Sequence, residues 1–139
     1  MTKWTADQLP TLTGTTVVIT GATGGIGLVT ARELARAGAT VVLAARNVDK
    51  ARLTAAGLRG NVQVQRLDVA DLDSVRTFAR SYTGDIDILI NNAGVMDIPA
   101  ARTAQGLDLQ TATNYFGPFL LTNLLLPRLT DRVVTCLLY

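Results

Sequence analysis

Val17-Val18-Ile19-Thr20-Gly21-Ala22-Thr23-Gly24-Gly25-Ile26-Gly27 decides the fold. An apolar, β-branched run enters a four-glycine turn here and leaves it as a helix, which is the local form of a phosphate-binding site. Gly21, Gly25 and Gly27 occupy the first, fifth and seventh places of the turn. At those places the chain must reverse, let a pyrophosphate approach the backbone, and let the helix pack closely on the strand. The amides that open the helix face the anion with the helix dipole behind them. Thr23 and Ile26, inside the loop, join the glycines as candidate contacts. Ordinary strand-to-helix connections also use glycine, so it is the surrounding sequence that makes the turn specific.

After Gly27 the helical spacing places Leu28, Ala31, Leu34 and Ala35 on one face, and Gly38 supplies the stop. Thr40-Val41-Val42-Leu43-Ala44 is then an unbroken apolar strand of the kind buried on both faces in a parallel sheet. Strand, helix and strand together make one βαβ unit of roughly 30 residues. The residue after the second strand chooses the cofactor. NAD asks for a carboxylate there, about 20 residues past the glycines, to bind the adenosine ribose hydroxyls. This chain instead has Ala44-Ala45-Arg46, and a guanidinium there can grip a 2′-phosphate and stack on adenine. NADP (as NADPH) is therefore favoured over NAD.

The alternation continues. Asn61-Val62-Gln63-Val64-Gln65 reads as a third strand ending at Asp68-Val69, and Asp71 reads as the N-cap of a helix carrying Leu72, Val75, Phe78 and Ala79. Ile86-Asp87-Ile88-Leu89-Ile90 is a fourth strand, which runs into Asn91-Asn92-Ala93-Gly94. Polar or tiny residues recur just past the C-terminal end of every strand, where ligands of open α/β sheets bind. The Gly21–Gly27 loop, Arg46, Asp68 and Asn91 are thus expected to converge on one crevice. The expected fold is a Rossmann-type, doubly wound α/β domain with a parallel sheet in the order 3-2-1-4-5, incomplete beyond the fifth strand. Residues 1–13 read as an N-terminal arm with a brief helix, and residues 14–139 as the dinucleotide-binding domain.

In order and spacing, Thr20-Gly21-x-x-x-Gly25-x-Gly27, Asp68-Val69, Asn91-Asn92-Ala93-Gly94 and Asn114 resemble the motifs of the short-chain dehydrogenase/reductase family. The Ala44-Ala45-Arg46 ending and the segment from Asn114 to Thr122 are most similar to its retinol-dehydrogenase-like branch. The resemblance covers about Gly14 to Thr135. It implies NAD(P)-dependent hydride transfer between a carbonyl and an alcohol. It further implies that Asp68 and Val69 hold the adenine ring, and that Asn91, Ala93 and Gly94 flank the adenosine ribose and the central strand. Asn114 it implies as one member of an Asn-Ser-Tyr-Lys catalytic set. Asn114 also lies in an apolar helix, approximately Leu107 to Leu129, with Pro118 four positions on. The proline has no N–H for the Asn114 carbonyl, so a kink and a free main-chain oxygen able to hold water are expected.

The chain departs from the family where its serine, tyrosine and lysine should follow. Arg132-Val133-Val134-Thr135 reads as the fifth strand and is followed only by Cys136-Leu137-Leu138-Tyr139. The serines, Ser74 and Ser81, fall on the helix after the third strand; the lysines are Lys3 and Lys50; Ile86 and Phe119 stand four residues after Tyr82 and Tyr115. An NADP-dependent oxidoreductase by resemblance is thus expected to be inactive as this chain alone, with a carbonyl or alcohol substrate only if the missing half is supplied. A non-catalytic module binding a dinucleotide or a partner chain is the other reading.

Composition restricts the rest. At 139 residues and 48% hydrophobic content there is material for one core, against about 250 residues for the complete family fold. A net charge of +2 is too small and scattered for nucleic acid, and one cysteine without histidine leaves no internal disulfide and no transition-metal site. The first residues lack the apolar core of a signal peptide, and Thr122, Asn123 and Arg128 interrupt the greasiest stretch, so a cytoplasmic chain without a membrane span is expected. An uncovered fifth strand should drive the isolated chain to a homo-oligomer or aggregate.

Overall fold

The computed structural model describes residues 3–136. Five strands, β1 (Thr16–Thr20), β2 (Thr40–Ala45), β3 (Asn61–Arg66), β4 (Ile86–Asn91) and β5 (Leu129–Thr135), form one sheet in the order β3-β2-β1-β4-β5. All four pairings are parallel; the central β1 and β2 are the unbroken apolar runs of doubly covered strands, while the edge strands β3 and β5 carry polar residues. Helices α1 (Gly25–Arg36) and α2 (Val48–Ala56) cover one face of the sheet. There Val17, Ile19, Val41 and Leu43 pack with Ala31 and Ala35, whose small side chains let α1 lie close. On the other face, α3 (Leu72–Ser81) and α5 (Gly117–Leu125) bury Val75, Phe78, Leu121 and Leu125 against Val18, Val42 and Leu89.

The caps agree with the sequence reading. Asp71 caps α3 by accepting the Asp73 N–H at 3.0 Å, and Gly38, just past the end of α1, takes φ 101°. The N-terminal arm carries a 3₁₀ turn at Ala6–Gln8 and is tied back to α1, Arg36 pairing with Asp7 at 3.0 Å and the Leu12 N–H donating to the Ala37 carbonyl at 2.8 Å.

Three elements depart from expectation. Helix α2, a segment for which the sequence named no helix, turns a short inward face of Val48, Ala51 and Ala55 to the sheet, with only Ala51 fully buried, and Asn47 caps it by accepting the Lys50 N–H at 2.9 Å. The helix expected from Leu107 to Leu129 is broken into a single turn, α4 (Leu109–Thr111), a π-helical stretch at Ala112–Phe116, α5, and a 3₁₀ turn at Leu126–Arg128. At the π stretch the Gly117 N–H reaches back five residues to the Ala112 carbonyl. The extra residue accommodates Pro118, which offers no N–H to the carbonyl four or five residues behind it. Strand β5 begins at Leu129, three residues earlier than Arg132, because pairing with Ile86 already starts there. Its Val133 and Val134, on opposite faces, are 39% and 43% exposed. Leu137, Leu138 and Tyr139, the last residues of the expected domain, lie outside the described residues, as do Met1 and Thr2 of the expected arm. Among the described residues no helix is long and apolar enough to cross a membrane.

Candidate dinucleotide site

The C-terminal ends of β1 to β4 open into a cleft of about 480 Å³, at the point where the strand order reverses between β1 and β4. Its lining includes Gly21 and Thr23 of the glycine loop, Arg46 after β2, Asp68 and Val69 after β3, and Ala93 and Gly94 after β4. Gly21 has φ +70°, and a β-carbon there would lie 2.7 Å from the Ala93 Cα. The turn therefore needs glycine both for its backbone angle and for its approach to the loop after β4. A β-carbon on Gly27 would press on the Asn92 amide nitrogen and lie 2.6 Å from the Gly21 carbonyl, so this glycine lets the helix start close under the turn. Gly24 and Gly25, at the mouth of α1, face open space. That is a cradle of main-chain donors at a helix N-terminus, and it fits a pyrophosphate. Gly25, Ile26 and Gly27 belong to this helix start rather than to the cleft wall, and Ile26 is 63% exposed.

A polar knot holds the two loops together. The Thr20 hydroxyl accepts N–H bonds from Asn92 at 3.1 Å and Ala93 at 3.0 Å, and the Asn92 amide donates to the carbonyls of Thr20 at 3.0 Å and Gly21 at 3.1 Å. Thr20 and Asn92 stand in the motifs already quoted, but a glycine pattern carries no sign of their mutual contact. The turn after β3 is similarly built. The Asp68 N–H donates to the Ser74 hydroxyl at 2.9 Å, and Asp68 Oδ1 accepts the Ala70 N–H at 3.0 Å, which leaves its Oδ2 for a ligand.

The β2 end is basic. Arg46, Asn47 and Lys50 line the cleft together, and among the described residues neither Arg46 nor Lys50 enters an ion pair. Arg46 is exposed, its carbonyl accepting from the Arg66 guanidinium at 3.2 Å. Lys50 and Asn47 were not among the residues expected from sequence, although an asparagine three residues before a lysine, opening a helix, was the available signal.

Two candidates sit elsewhere. Asn91 follows the strand alternation of Leu89 onto the α5 face, where it is 5% exposed and donates to the Thr122 hydroxyl at 3.0 Å. Its side chain therefore does not line the cleft, and its Oδ1 has no hydrogen-bond partner among the described residues. Asn114 lies in the π stretch. Its Oδ1 accepts the Val95 N–H at 2.8 Å and its Nδ2 donates to the Val95 carbonyl at 2.7 Å, so both side-chain groups are taken by the loop after β4. Tyr82 is 4% exposed and packs 5.7 Å from the Phe78 ring; burial pushes its hydroxyl above the usual phenol range. Tyr115 is 59% exposed and stacks on Phe119 outside the cleft.

Comparison with known proteins agrees with this architecture. Residues 15–134 match the short chain dehydrogenase family. Mouse retinol dehydrogenase 13 is 46% identical over 127 residues, covering 86% of this chain and 38% of that protein. The chain thus spans about two fifths of the length of the curated relatives it matches. The crystal structure of an uncharacterized protein from Mycobacterium paratuberculosis superposes with a TM-score of 0.91 at 56% identity, over 95% of this chain and 49% of the other. A metagenomic short-chain oxidoreductase in complex with NADP gives 0.76 at 31% identity, over 90% of this chain and 62% of the other. With a parallel 3-2-1-4-5 sheet, a glycine loop at its switch point and a family match running almost from end to end, this chain belongs to the short-chain dehydrogenases.

Proposed function

We propose that this chain binds NADP in the cleft above β1 to β4 and forms the cofactor-holding part of an oxidoreductase that interconverts a carbonyl and an alcohol. The observation that carries the cofactor choice is the basic β2 end, where Arg46 and Lys50, neither in an ion pair among the described residues, meet the N-terminus of α2 with no carboxylate on the strand end. A ribose 2′-phosphate fits that chemistry, since guanidinium and ammonium groups bind it by charge-assisted bonds and the helix dipole adds to them. In this reading the open amides of Gly24 and Gly25 take the pyrophosphate, Asp68 Oδ2 takes an amino group of adenine, and Val69, Ala93 and Gly94 flank the adenosine. NADPH, when bound, supplies the hydride. The chain's own part is to orient the dinucleotide and to keep the loop after β4 in place through Asn114 and Val95.

A second reading, dinucleotide binding without turnover by this chain alone, is favoured by the same geometry. The Asn114 side chain is committed to Val95, which leaves only its main-chain oxygen for a water, and neither Tyr82 in the core nor Tyr115 on the outside lines the cleft. Fluorescence titration tests the cofactor choice. NADPH should bind more tightly than NADH, and Arg46→Ala should remove most of the difference, because a charge-assisted contact contributes about 1.5 to 3 kcal/mol. Equal affinities for the two cofactors in the unmutated chain would refute NADP as the preferred ligand.

A further inference from the structure

The connection from Val95 to Asp108 is a tied strap. Arg102 and Asp108 form an antiparallel bridge, the Leu109 N–H donates to the Ala101 carbonyl at 2.9 Å, and Thr103 and Leu107 close the tip through an N–H bond of 2.8 Å. Both ends of the strap reach the cleft, which Val95 and Leu109 line. Gln105 stands at the tip. Its Nε2 donates to Asp71 Oδ1 at 3.0 Å and to Asp73 Oδ2 at 3.5 Å, at the start of α3. Arg76 holds the other oxygen of Asp73 at 3.0 Å, so the second carboxylate is already fixed when Gln105 reaches it.

Asp71 is the last residue of the turn that walls the adenine end. Its N–H donates to the Asp68 carbonyl at 3.2 Å, its carboxylate caps α3, and Asp68, Val69 and Ala70 line the cleft. The turn is gripped from two further sides: the Asp68 N–H is held by Ser74, and Gly117 lies directly against the Val69 carbonyl. Gln105 is thus the one side chain by which the strap fastens to this turn among the hydrogen bonds of the described residues. Its donation is also the first reason why the Asp71 carboxyl is held below the usual carboxylate range.

We propose that Gln105 is a positioning residue for the adenine end of the dinucleotide: by bonding Asp71, with a weaker contact to Asp73, it locks the Asp68–Asp71 turn and the strap into one unit shaped before the ligand arrives. The role rests on the dinucleotide reading above. A turn already held in its bound shape does not charge its ordering entropy against binding, so the lock is read out as affinity. The chemistry also asks for a donor at position 105, because two carboxylates meet there. A carboxylate at 105 repels them, whereas an ammonium group restores the bridge.

The test is titration of the full chain with adenosine 2′,5′-bisphosphate, with hydrogen exchange followed by mass spectrometry. Gln105→Ala should weaken binding by about three- to tenfold, the size of one or two exposed hydrogen bonds to a charged group. Gln105→Glu should weaken it further, and Gln105→Lys should return it to within about twofold of the unmutated chain. Residues 68–71 and 99–108 should exchange faster together in the alanine and glutamate variants and not in the lysine variant. Unchanged affinity in Gln105→Ala, a loss in Gln105→Lys equal to that in alanine, or faster exchange confined to the strap overturns the role. A chain that binds neither NADPH nor the bisphosphate overturns the cofactor reading and this role with it. A chain that binds both and ignores position 105 overturns this role alone.

Discussion

Replacing Thr20 by valine tests whether the polar knot, rather than the glycines alone, builds the cleft floor. Thr20 is 2% exposed, so valine keeps its shape and apolar packing while removing the hydroxyl. Two N–H donors, on Asn92 and Ala93, lose their acceptor at 3.1 and 3.0 Å; the longer contact to the Ile90 carbonyl, 3.5 Å, adds little. A donor stranded away from water costs about 1 to 3 kcal/mol, and both donors here are only partly buried, so the sum should fall near 2 to 4 kcal/mol. Against a total stability of about 5 to 15 kcal/mol this is a large fraction. Thr20→Ser keeps the acceptor and deletes one methyl group, which should cost about 0.5 to 1.5 kcal/mol, as Ile→Val does. Urea unfolding measures both, and NADPH titration measures the consequence, since the loop carrying Ala93 and Gly94 is then tied to the end of β1 only by the Asn92 amide. The argument fails if Thr20→Val lies within about 0.5 kcal/mol of the unmutated chain, or if the serine variant is the less stable of the two.

Other predictions concern acid stability and turnover. Asp87 accepts the Thr16 N–H and the Thr130 hydroxyl, each at 2.7 Å, which stitches β1 and β5 to β4; the Thr16 bond first and the Thr130 bond second hold its carboxyl below the usual range. Its contribution is therefore present above the unfolded value near pH 3.9 and disappears as pH falls through the lower folded value. Asp87→Asn should cost about 1 to 3 kcal/mol at neutral pH and flatten part of the acid limb of a stability-versus-pH curve, to which Glu33, Asp71 and Asp108, also held below the usual carboxylate range, add. An acid limb identical in the variant refutes this assignment. The chain alone should not oxidise NADPH with aldehydes or ketones, because among the described residues neither Tyr82 nor Tyr115 lines the cleft and Asp68, the one carboxyl that does, stands at the end read as the adenosine's; a positioned acid supplies about 10²- to 10⁴-fold of rate. Turnover of about 1 s⁻¹, followed by the absorbance of the reduced nicotinamide and abolished by Asn114→Ala, would show that a proton donor has been overlooked.

The parallel sheet and its order were legible because buried parallel strands are continuous apolar runs, and because each ends in a polar or glycine-rich residue where the crevice must lie. Thr40–Ala45 could hardly be anything else. Helix α2 was missed for the opposite reason: its inward face is short and made of small residues, Val48, Ala51 and Ala55, while the larger Leu53 points to solvent, so its period is faint. The π stretch was legible only as a disturbance at Pro118. Periodicity reports which face is apolar, not whether a hydrogen bond spans four residues or five.

The sequence by itself determined the strand-turn-helix of the glycine loop, the missing carboxylate after β2, and the family, since local backbone demands and motif spacing are properties of the chain in one dimension. Tertiary structure alone decided that Thr20 meets Asn92 across 72 residues, that Gln105 meets Asp71 across 34, and that Asn91 turns away from the cleft while Asn114 spends its amide on Val95. Those outcomes depend on which face of a strand or helix a side chain occupies and on what the fold carries opposite it. Hydrogen bonds are short and directional, so displacing either partner by one residue would leave nothing to bond.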